Sequence, residues 1–347
     1  MLDVFFVTFP FFFLVFAGYF AVSKGLLAIS AVPGLNSFVL YFALPCMCFR
    51  FGSETSVAKI LDPVVFGVYL ASALITVFVC IVITKRGEIG WSDASIGALV
   101  AAWPNTGFMG VPMLATLLGT ASVGPVMLTM LIDVFVTSTL CVGLSRLDSS
   151  GLDSMGRAFR QALTRAASNP MPWAILFGIL VSVFDLELWM PVDKTIIMLA
   201  DAATPAALFT IGAMLARSKM NSTSRMPASY YLPGVMIKLF IHPLLLWSIG
   251  MHARFLGLSI DTCTLTTIVL LGALPSASNV SLLAERFKAD SGRIAQIILL
   301  TTTAAFFYLL SRCCNHHLKR RSDAQNRNIE ASNLVIYYPE GRDRCFF

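Results

Sequence analysis

Two prolines interrupt apolar stretches that would otherwise be long enough to cross a membrane, and they constrain the fold more than any other feature. Pro104 is followed by Asn105, and Pro275 is followed by Ser276. Proline lacks a backbone donor and clashes with the carbonyl one turn earlier, so each helix must break or kink there. Inside a bilayer, the freed backbone groups are tolerated only where protein or a water-filled cavity satisfies them. Matching breaks in the two halves of a chain predict a transporter substrate site beside them.

The composition indicates that lipid, rather than water, surrounds most of the chain. Of its 347 residues, 57% are hydrophobic and only 13% are charged, whereas a soluble domain carries about 25% charged residues. We therefore predict an all-α polytopic membrane protein with about ten transmembrane helices of roughly 20 residues each. The predicted spans lie near residues 4–23, 33–51, 63–84, 94–118, 122–146, 170–187, 192–216, 228–250, 262–284 and 294–312.

The basic residues predict how these spans are oriented. Loops after the odd-numbered spans contain most of them, namely Lys24, Lys85, Arg86, Arg146, Arg157, Arg160, Arg165, Arg217, Lys219, Arg225, Arg286, Lys288 and Arg293. Loops after the even-numbered spans contain Arg50, Lys59, Lys194 and Arg254. Loops rich in Lys and Arg stay in the cytoplasm, so we predict an integral membrane protein with both termini outside. The basic C-terminal tail disagrees with this orientation. The net charge of +6 is explained by topology, and we predict no nucleic-acid partner.

A polar segment in the middle of the chain separates two halves that each contain an odd number of spans. The second half must therefore lie upside down relative to the first. We predict residues 1–146 as the first five-helix repeat and residues 147–169 as a cytoplasmic connecting loop. Residues 170–312 form the second, inverted repeat, and residues 313–347 form a polar tail that we expect to be disordered.

Proline positions also repeat between the halves. Val32–Pro33 and Leu44–Pro45 in span two correspond in order to Met190–Pro191 and Thr204–Pro205 in span seven. Together with the breaks in spans four and nine, these pairs favour a 5+5 inverted repeat with two broken helices.

The residues around the first break resemble the fourth-helix signature of the auxin efflux carrier family. That signature reads here Pro104–Asn105–Thr106–Gly107–Phe108–Met109–Gly110–Val111–Pro112. A second resemblance, to the ninth-helix signature of the same family, lies in Ala273–Leu274–Pro275 followed by Leu283–Ala284–Glu285–Arg286–Phe287. Supporting matches are Tyr41–Phe42–Ala43–Leu44–Pro45, Asn169–Pro170, Lys238 and Pro243. The resemblance covers residues 5–310.

The resemblance implies an elevator-type carrier with a scaffold domain and a transport domain. Its broken helices 4 and 9 would cross at their prolines, with a substrate anion beside the crossover. The short connecting loop is similar to that of bacterial members associated with malonate and other small carboxylates, and the long loop of the plant PIN-type auxin exporters is absent. A homodimer formed through the scaffold domain is implied by the resemblance alone.

Residues at the two breaks are the predicted substrate site. Each second half-helix begins with unpaired N–H groups and the positive end of a helix dipole, which suits a carboxylate. The Asn105 amide can donate to an anion or accept from its acid form. The predicted substrate-binding residues are Pro104, Asn105, Thr106, Pro275, Ser276, Ser278 and Asn279. The alternative is that the prolines only kink packed helices and Asn105 bonds a neighbouring helix.

Four ionisable residues lie within predicted spans and are candidates for coupling-ion or proton sites. They are Asp133, Asp201, Lys238 and His242. Intramembrane charges are costly, face protein or water, and tend to pair. The alternative for Lys238 is a side chain that snorkels to the membrane edge, and for His242 a structural hydrogen bond. The eight cysteines indicate no disulfide framework, and neither a metal site nor a cofactor is predicted.

These observations together predict a secondary active transporter of a small organic anion in a bacterial inner membrane, and no enzyme activity. No phosphate-binding loop is present, so the driving force would be protons, sodium or the membrane potential. A malonate-like carboxylate suits the polar crossover, while Trp103 and Phe108 could instead flank an auxin-like aromatic ring. Further alternatives are a non-transporting ligand sensor and an intramembrane protease that pairs Asp133 with Asp201. The substrate, the direction of transport and the coupling ion stay open at this point.

Overall fold

The computed structural model describes residues 2–85, 89–147, 152–221, 227–287 and 289–305, and the predicted polar tail lies outside these residues. Within them, regular structure is helical apart from one isolated antiparallel bridge between Pro104 and Ser276. The helices in chain order are α1 (Leu2–Ser23), α2 (Ile29–Glu54), α3 (Pro63–Thr84), α4 (Trp91–Ala102), α5 (Thr106–Leu118), α6 (Thr120–Leu144), α7 (Leu152–Ala167), α8 (Pro170–Val183), α9 (Met190–Asn221), α10 (Ala228–Phe255), α11 (Thr262–Ala273) and α12 (Val280–Phe287). A further helix, α13, runs from residue 291 to residue 305, where the described part of the chain ends.

The lengths and compositions of these helices are those of a membrane protein. Among the described residues, five helical segments are long and apolar enough to cross a bilayer: Ile29–Glu54, Val57–Thr84, Thr120–Leu144, Met190–Arg217 and Ala228–Phe255. The second of these consists of the short helix Val57–Ile60 followed by α3. Shorter apolar helices cover Phe9–Ser23, Thr106–Leu118, Pro170–Val183 and Thr262–Ala273. Two of the shorter helices, α5 and α11, are halves of the predicted broken spans, so a proline break accounts for their length. The chain is therefore an all-α integral membrane protein.

Glycines bring two pairs of helices into close contact. In the first pair, Gly18 of α1 lies against the main chain of α9 at Phe209, and Gly212 of α9 lies against the main chain of α1 at Val15. A side chain at either position would collide with backbone atoms, which cannot move aside. In the second pair, Gly52 of α2 and Gly178 of α8 meet in the same way. Small residues of this kind let membrane helices approach closely.

The segment between the two halves contains a helix that the sequence prediction of a connecting loop did not include. Helix α7 spans Leu152–Ala167 and packs with Ala162 and Ala166 buried, while Arg157 and Arg160 are exposed. The sequence predicted a loop here because the composition of this segment is polar. The buried alanines nevertheless lie four residues apart, which is the spacing of one helix face.

In the described part of the chain, four helices contain a π-helical turn, in which one extra residue is accommodated. The turns are Val39–Ala43 in α2, Thr106–Gly110 in α5, Asp133–Thr137 in α6 and Ile237–Ile241 in α10. The turns in α2, α5 and α10 end two residues before a proline, whose missing N–H disrupts the regular ladder. Such turns are frequent at functional sites, and here two of them carry the ionisable residues Asp133 and Lys238.

Arg293 joins three helices from a buried position, although the sequence analysis had counted it among the loop charges. Its side chain is 2% exposed, and its Nε donates to the Tyr230 carbonyl of α10 at 2.7 Å. Its Nη1 donates to the Asp93 carbonyl of α4 at 3.0 Å. The Asp93 carboxylate in turn accepts from the backbone N–H of Asp290 at 2.7 Å. This network fixes the start of α13 against the helix that leads into the first break.

Candidate functional site

The two proline breaks lie against each other and pair through their main chains. The N–H of Asn105 donates to the carbonyl of Pro275 at 2.8 Å, and the N–H of Ala277 donates to the carbonyl of Trp103 at 3.0 Å. Pro104 and Ser276 face each other in an antiparallel bridge. Each break therefore satisfies backbone groups that the other has freed, as is required at membrane depth.

The first break ends α4 and starts α5 within three residues. Trp103 is extended, and the carbonyl of Asn105 then accepts from the N–H groups of both Met109 and Gly110, at 3.1 Å and 3.0 Å. The N–H of Thr106 turns back to the carbonyl of Pro104 at 2.7 Å. The π-helical turn thus begins directly at Asn105, which directs the N-terminal end of α5 towards the crossover.

The second break is held by a residue of α13 that the sequence analysis did not select. The N–H of Ser276 donates to Oγ1 of Thr301 at 3.2 Å, and that hydroxyl donates to the carbonyl of Ile297 at 2.8 Å. Thr301 is fully buried. A threonine in an apolar helix is too common to stand out in the sequence. Its contact with Ser276 joins positions 25 residues apart.

Side chains at the crossover keep unused hydrogen-bonding capacity. Ser276 and Ser278 are buried, and no described residue partners either Oγ atom. Asn105 is 3% exposed, and its side chain makes no capping hydrogen bond at the start of α5. Thr106 makes only a 3.4 Å contact with the carbonyl of Pro104, and Asn279 is half-buried. Because a buried polar group without a partner costs about 1–3 kcal/mol, this cluster is suited to a polar ligand.

Three of the four predicted ionisable residues come together in a second buried cluster. Asp133 accepts from Tyr69 Oη at 2.7 Å and from Thr137 Oγ1 at 3.1 Å. Lys238 Nζ lies 3.1 Å from His242 Nδ1, and the rings of His242 and Tyr69 have centroids 6.2 Å apart. All five side chains are buried. Tyr69 and Thr137 were not selected from the sequence, although Thr137 lies one helical turn after Asp133 and therefore on the same face.

Lys238 links this charged cluster to the crossover. Its Nζ donates to the carbonyl of Gly272 at 3.0 Å, in the last turn of α11 and just before the second break. A cation is favoured at the negative C-terminal end of a helix. Complete burial of Lys238 excludes the alternative in which it snorkels to the membrane edge. No direct ion pair within 4.0 Å joins Lys238 to Asp133 in the described residues.

Asp201 lies apart from this cluster. Its side chain is 66% exposed and pairs with Arg50 Nη1 at 3.0 Å, while Arg50 Nε pairs with Glu54 at 3.1 Å. Asp133 is buried on Tyr69, so the structure does not bring the two aspartates together as the protease alternative requires.

The known proteins that this chain resembles are membrane transport proteins. The model of the membrane transport protein family matches residues 3–311. The "Putative malonate transporter" of Rhizobium meliloti (strain 1021) is 28% identical over 277 residues, covering 78% of this chain and 82% of that protein. The "Uncharacterized transporter YfdV" of Escherichia coli (strain K12) is 28% identical over 263 residues, covering 73% and 78%. "Auxin efflux carrier component 8" of Arabidopsis thaliana is 22% identical over 234 residues, covering 53% and 63%.

Proposed function

Because this chain belongs to the auxin efflux carrier family of membrane transport proteins, we propose that it is a secondary active transporter of a small organic anion. The observation that carries the proposal is the crossover, where paired main chains satisfy each other and the polar side chains keep free donors. Two serine hydroxyls and the Asn105 amide can donate to a carboxylate, and the N-terminal end of α5 adds the positive end of a helix dipole. The substrate-binding residues that we propose are Pro104, Asn105, Thr106, Pro275, Ser276, Ser278 and Asn279.

A short, malonate-like carboxylate is the proposed substrate. The named relative from Rhizobium meliloti supports this class. The alternative, an auxin-like aromatic acid, would need an aromatic surface on which its ring could stack. Trp103 and Phe108 are 7% and 2% exposed and belong to the packed core. Their rings therefore offer little surface to a ligand, which favours the smaller acid.

The proposed architecture is a ten-helix inverted repeat. The first repeat comprises residues 1–146, the second comprises residues 170–312, and residues 147–169 connect them in the cytoplasm. The reciprocal glycine contacts support the repeat, because α1 meets α9 as α8 meets α2, which is the relation that inversion requires. Both termini would lie outside a bacterial plasma membrane. The four glycine-packed helices would be the scaffold of an elevator, and the helices that carry the two polar clusters would be its moving part.

Coupling is proposed to involve the charged cluster. Asp133, Lys238 and His242 share one buried region, and Lys238 reaches the helix end that leads into Pro275. A change in proton or ion occupancy there can therefore act on the geometry of the crossover. The membrane potential alone also supplies about 2.3 kcal/mol per unit charge at 100 mV, so a carrier without a coupled ion is the second candidate.

A homodimer is proposed to cover the exposed ion pairs of the scaffold. Arg50 and Asp201 lie on α2 and α9, within the segments that are apolar enough to span the bilayer, and 39% and 66% of their side chains are exposed. Charges inside a bilayer usually face protein or water. A second copy packed on this surface would remove the pair from lipid.

Transport into proteoliposomes tests the proposed function. Radiolabelled malonate uptake would be measured for the wild type, Asn105→Ala and Ser276→Ala, with a pH gradient, a sodium gradient or an imposed potential. The matched control is Ser95→Ala, because Ser95 is also a buried serine with an unpartnered hydroxyl but lies within α4, away from the break. We expect saturable uptake whose apparent affinity falls about tenfold or more in the two crossover variants, since one hydrogen bond to a charged group contributes about 1.5–3 kcal/mol.

Two outcomes would contradict the proposal. Equal losses in Ser95→Ala and Ser276→Ala would assign the effect to packing rather than to a substrate site. Uptake that is saturable but unaffected by either crossover substitution would place the substrate elsewhere. Indole-3-acetate run beside malonate would separate the two substrate classes.

A further inference from the structure

A mostly apolar crevice of about 460 Å³ has a lining that includes no side chain of either polar cluster. Its walls are a face of α1, a face of α9 and the outer side of α13, represented by Phe12, Phe16, Leu215 and Leu299. This volume lies within the range of roughly 300–1,000 Å³ that is usual for small-molecule sites. A lining this apolar, within a membrane protein, suits a hydrocarbon chain and not a dicarboxylate.

One end of the crevice is cationic. Lys219 lines the crevice, and its Nζ lies 6.0 Å from the centre of the Tyr19 ring. Phe20 follows Tyr19 in the chain, and the Nζ of Lys24 lies 6.0 Å from its ring centre. Phe20 and Lys24 are not in the lining of the crevice, but both ammonium groups lie near the C-terminal end of α1. Both lysines are exposed. Basic residues between membrane helices attract the head groups of anionic lipids.

The crevice also reaches the functional site. Met109 lines it, and the N–H of Met109 is hydrogen-bonded to the carbonyl of Asn105 at 3.1 Å. A chain lying in the crevice would contact the π-helical turn Thr106–Gly110, which starts the half-helix directed at the crossover. Occupancy would restrict that turn without touching the polar side chains of Ser276 and Ser278.

We propose that this crevice binds one acyl chain of an anionic phospholipid, with the phosphate of its head group at Lys219 and Lys24. The apolar walls explain the affinity for the chain, and the two ammonium groups explain the preference for an anionic head group over a zwitterionic one. This site is independent of the substrate assignment, because it neither uses the crossover side chains nor requires transport.

Native mass spectrometry of the purified full-length protein tests the binding. Dioleoyl phosphatidylglycerol and dioleoyl phosphatidylcholine would be added separately at equal concentrations to the wild type, Lys219→Gln, Lys24→Gln and Thr303→Trp. Thr303 is exposed at the crevice wall, so a tryptophan there fills the space without entering the core. The controls are Lys194→Gln, an exposed lysine near the other end of α9, and Leu180→Trp on the exposed face of α8.

We expect one phosphatidylglycerol to be retained in preference to phosphatidylcholine. Affinity should fall about fivefold in each lysine variant, because one lysine near an anionic head group contributes about 1 kcal/mol. It should fall at least as far in Thr303→Trp and stay unchanged in both controls. Equal retention of the two lipids, or equal losses in variants and controls, would overturn the proposal.

Hydrogen exchange adds a readout that loosely associated surface lipid would not change. Phosphatidylglycerol should slow amide exchange in the peptide that contains residues 106–110 in the wild type. The same lipid should leave that peptide unchanged in Thr303→Trp. Slowing of equal size in both proteins would show that the lipid does not act through the crevice.

Discussion

The crossover and the charged cluster are both buried and polar, but they satisfy their hydrogen bonds in opposite ways. At the crossover, main-chain groups pair with each other and the side chains of Ser276 and Ser278 are left without described partners. In the charged cluster, side chains bind side chains, and Asp133 has a donor on each oxygen. The crossover therefore keeps hydrogen-bonding capacity that a ligand could use. The charged cluster uses most of its capacity to join helices, although His242 Nε2 has no partner among the described residues. Substitutions in the charged cluster should therefore affect folding, and substitutions at the crossover should affect ligand binding.

The largest expected effect is that of Lys238→Met, which removes the buried donor to the Gly272 carbonyl and the contact with His242 Nδ1. We expect the free energy of unfolding to fall by about 2–6 kcal/mol, because two buried partners lose their donor at a cost of about 1–3 kcal/mol each, and Asp133 loses the attraction of that ammonium group. Thermal and chemical unfolding in detergent would measure it. The double variant Asp133→Asn/Lys238→Met should regain part of this loss, and no recovery would show that the two charges are not coupled.

A smaller decrease in the free energy of unfolding is expected for Tyr69→Phe, which deletes the 2.7 Å hydrogen bond to Asp133. Hydrogen bonds to charged groups contribute about 1.5–3 kcal/mol, and the same unfolding measurement should detect that decrease. Tyr41→Phe is the control, because Tyr41 is 59% exposed, and it should change stability by about 0.5 kcal/mol or less. Similar values for the two variants would contradict a framework role for the cluster.

Thr301→Val tests a side-chain bond from α13 that supports the crossover backbone. The substitution removes the acceptor for the Ser276 N–H, and we expect a loss of about 1 kcal/mol together with slower transport. Thr302→Val is the matched control, because that hydroxyl bonds only to the carbonyl of Ile298 one turn earlier. If Thr302→Val impairs transport equally, the contact to Ser276 has no special role.

The smallest effect on stability is expected for Ser278→Ala. The hydroxyl is buried and unpartnered in the described structure, so its removal should alter the free energy of unfolding by about 0.5 kcal/mol or less. Malonate binding, measured by protection against thermal unfolding, should nevertheless weaken. A clear loss of stability in the absence of malonate would show that Ser278 belongs to the framework and would weaken the contrast between the two regions.

Helix breaks could be predicted from the sequence more reliably than contacts between distant segments. Breaks at Pro104 and Pro275 follow from the chemistry of proline itself, so a single position was enough to predict each one. Their mutual contact joins segments about 170 residues apart in the chain and was implied only by the family resemblance. The donor to Asp133 was missed because a tyrosine in an apolar span carries no signal of its partner.

Burial was the property that the sequence left least determined. Asp133 and Asp201 looked alike as acidic residues within apolar spans, yet one is fully buried and the other is largely exposed beside Arg50. The difference depends on which face of its helix each residue occupies and on what packs there. Arg293 shows the reverse case, because a charge near a loop turned out to be buried among three helices.

The main-chain pairing between the two breaks has a consequence for how such a carrier can change over evolutionary time. The bonds from Asn105 to Pro275 and from Ala277 to Trp103 use atoms that every residue except a donor-less proline possesses. Mutations that alter the neighbouring side chains therefore leave the architecture of the crossing intact. If the crossover is the substrate site, as proposed, selection can exchange one cargo for another there through a few substitutions, while the prolines preserve the shape on which each new specificity is built.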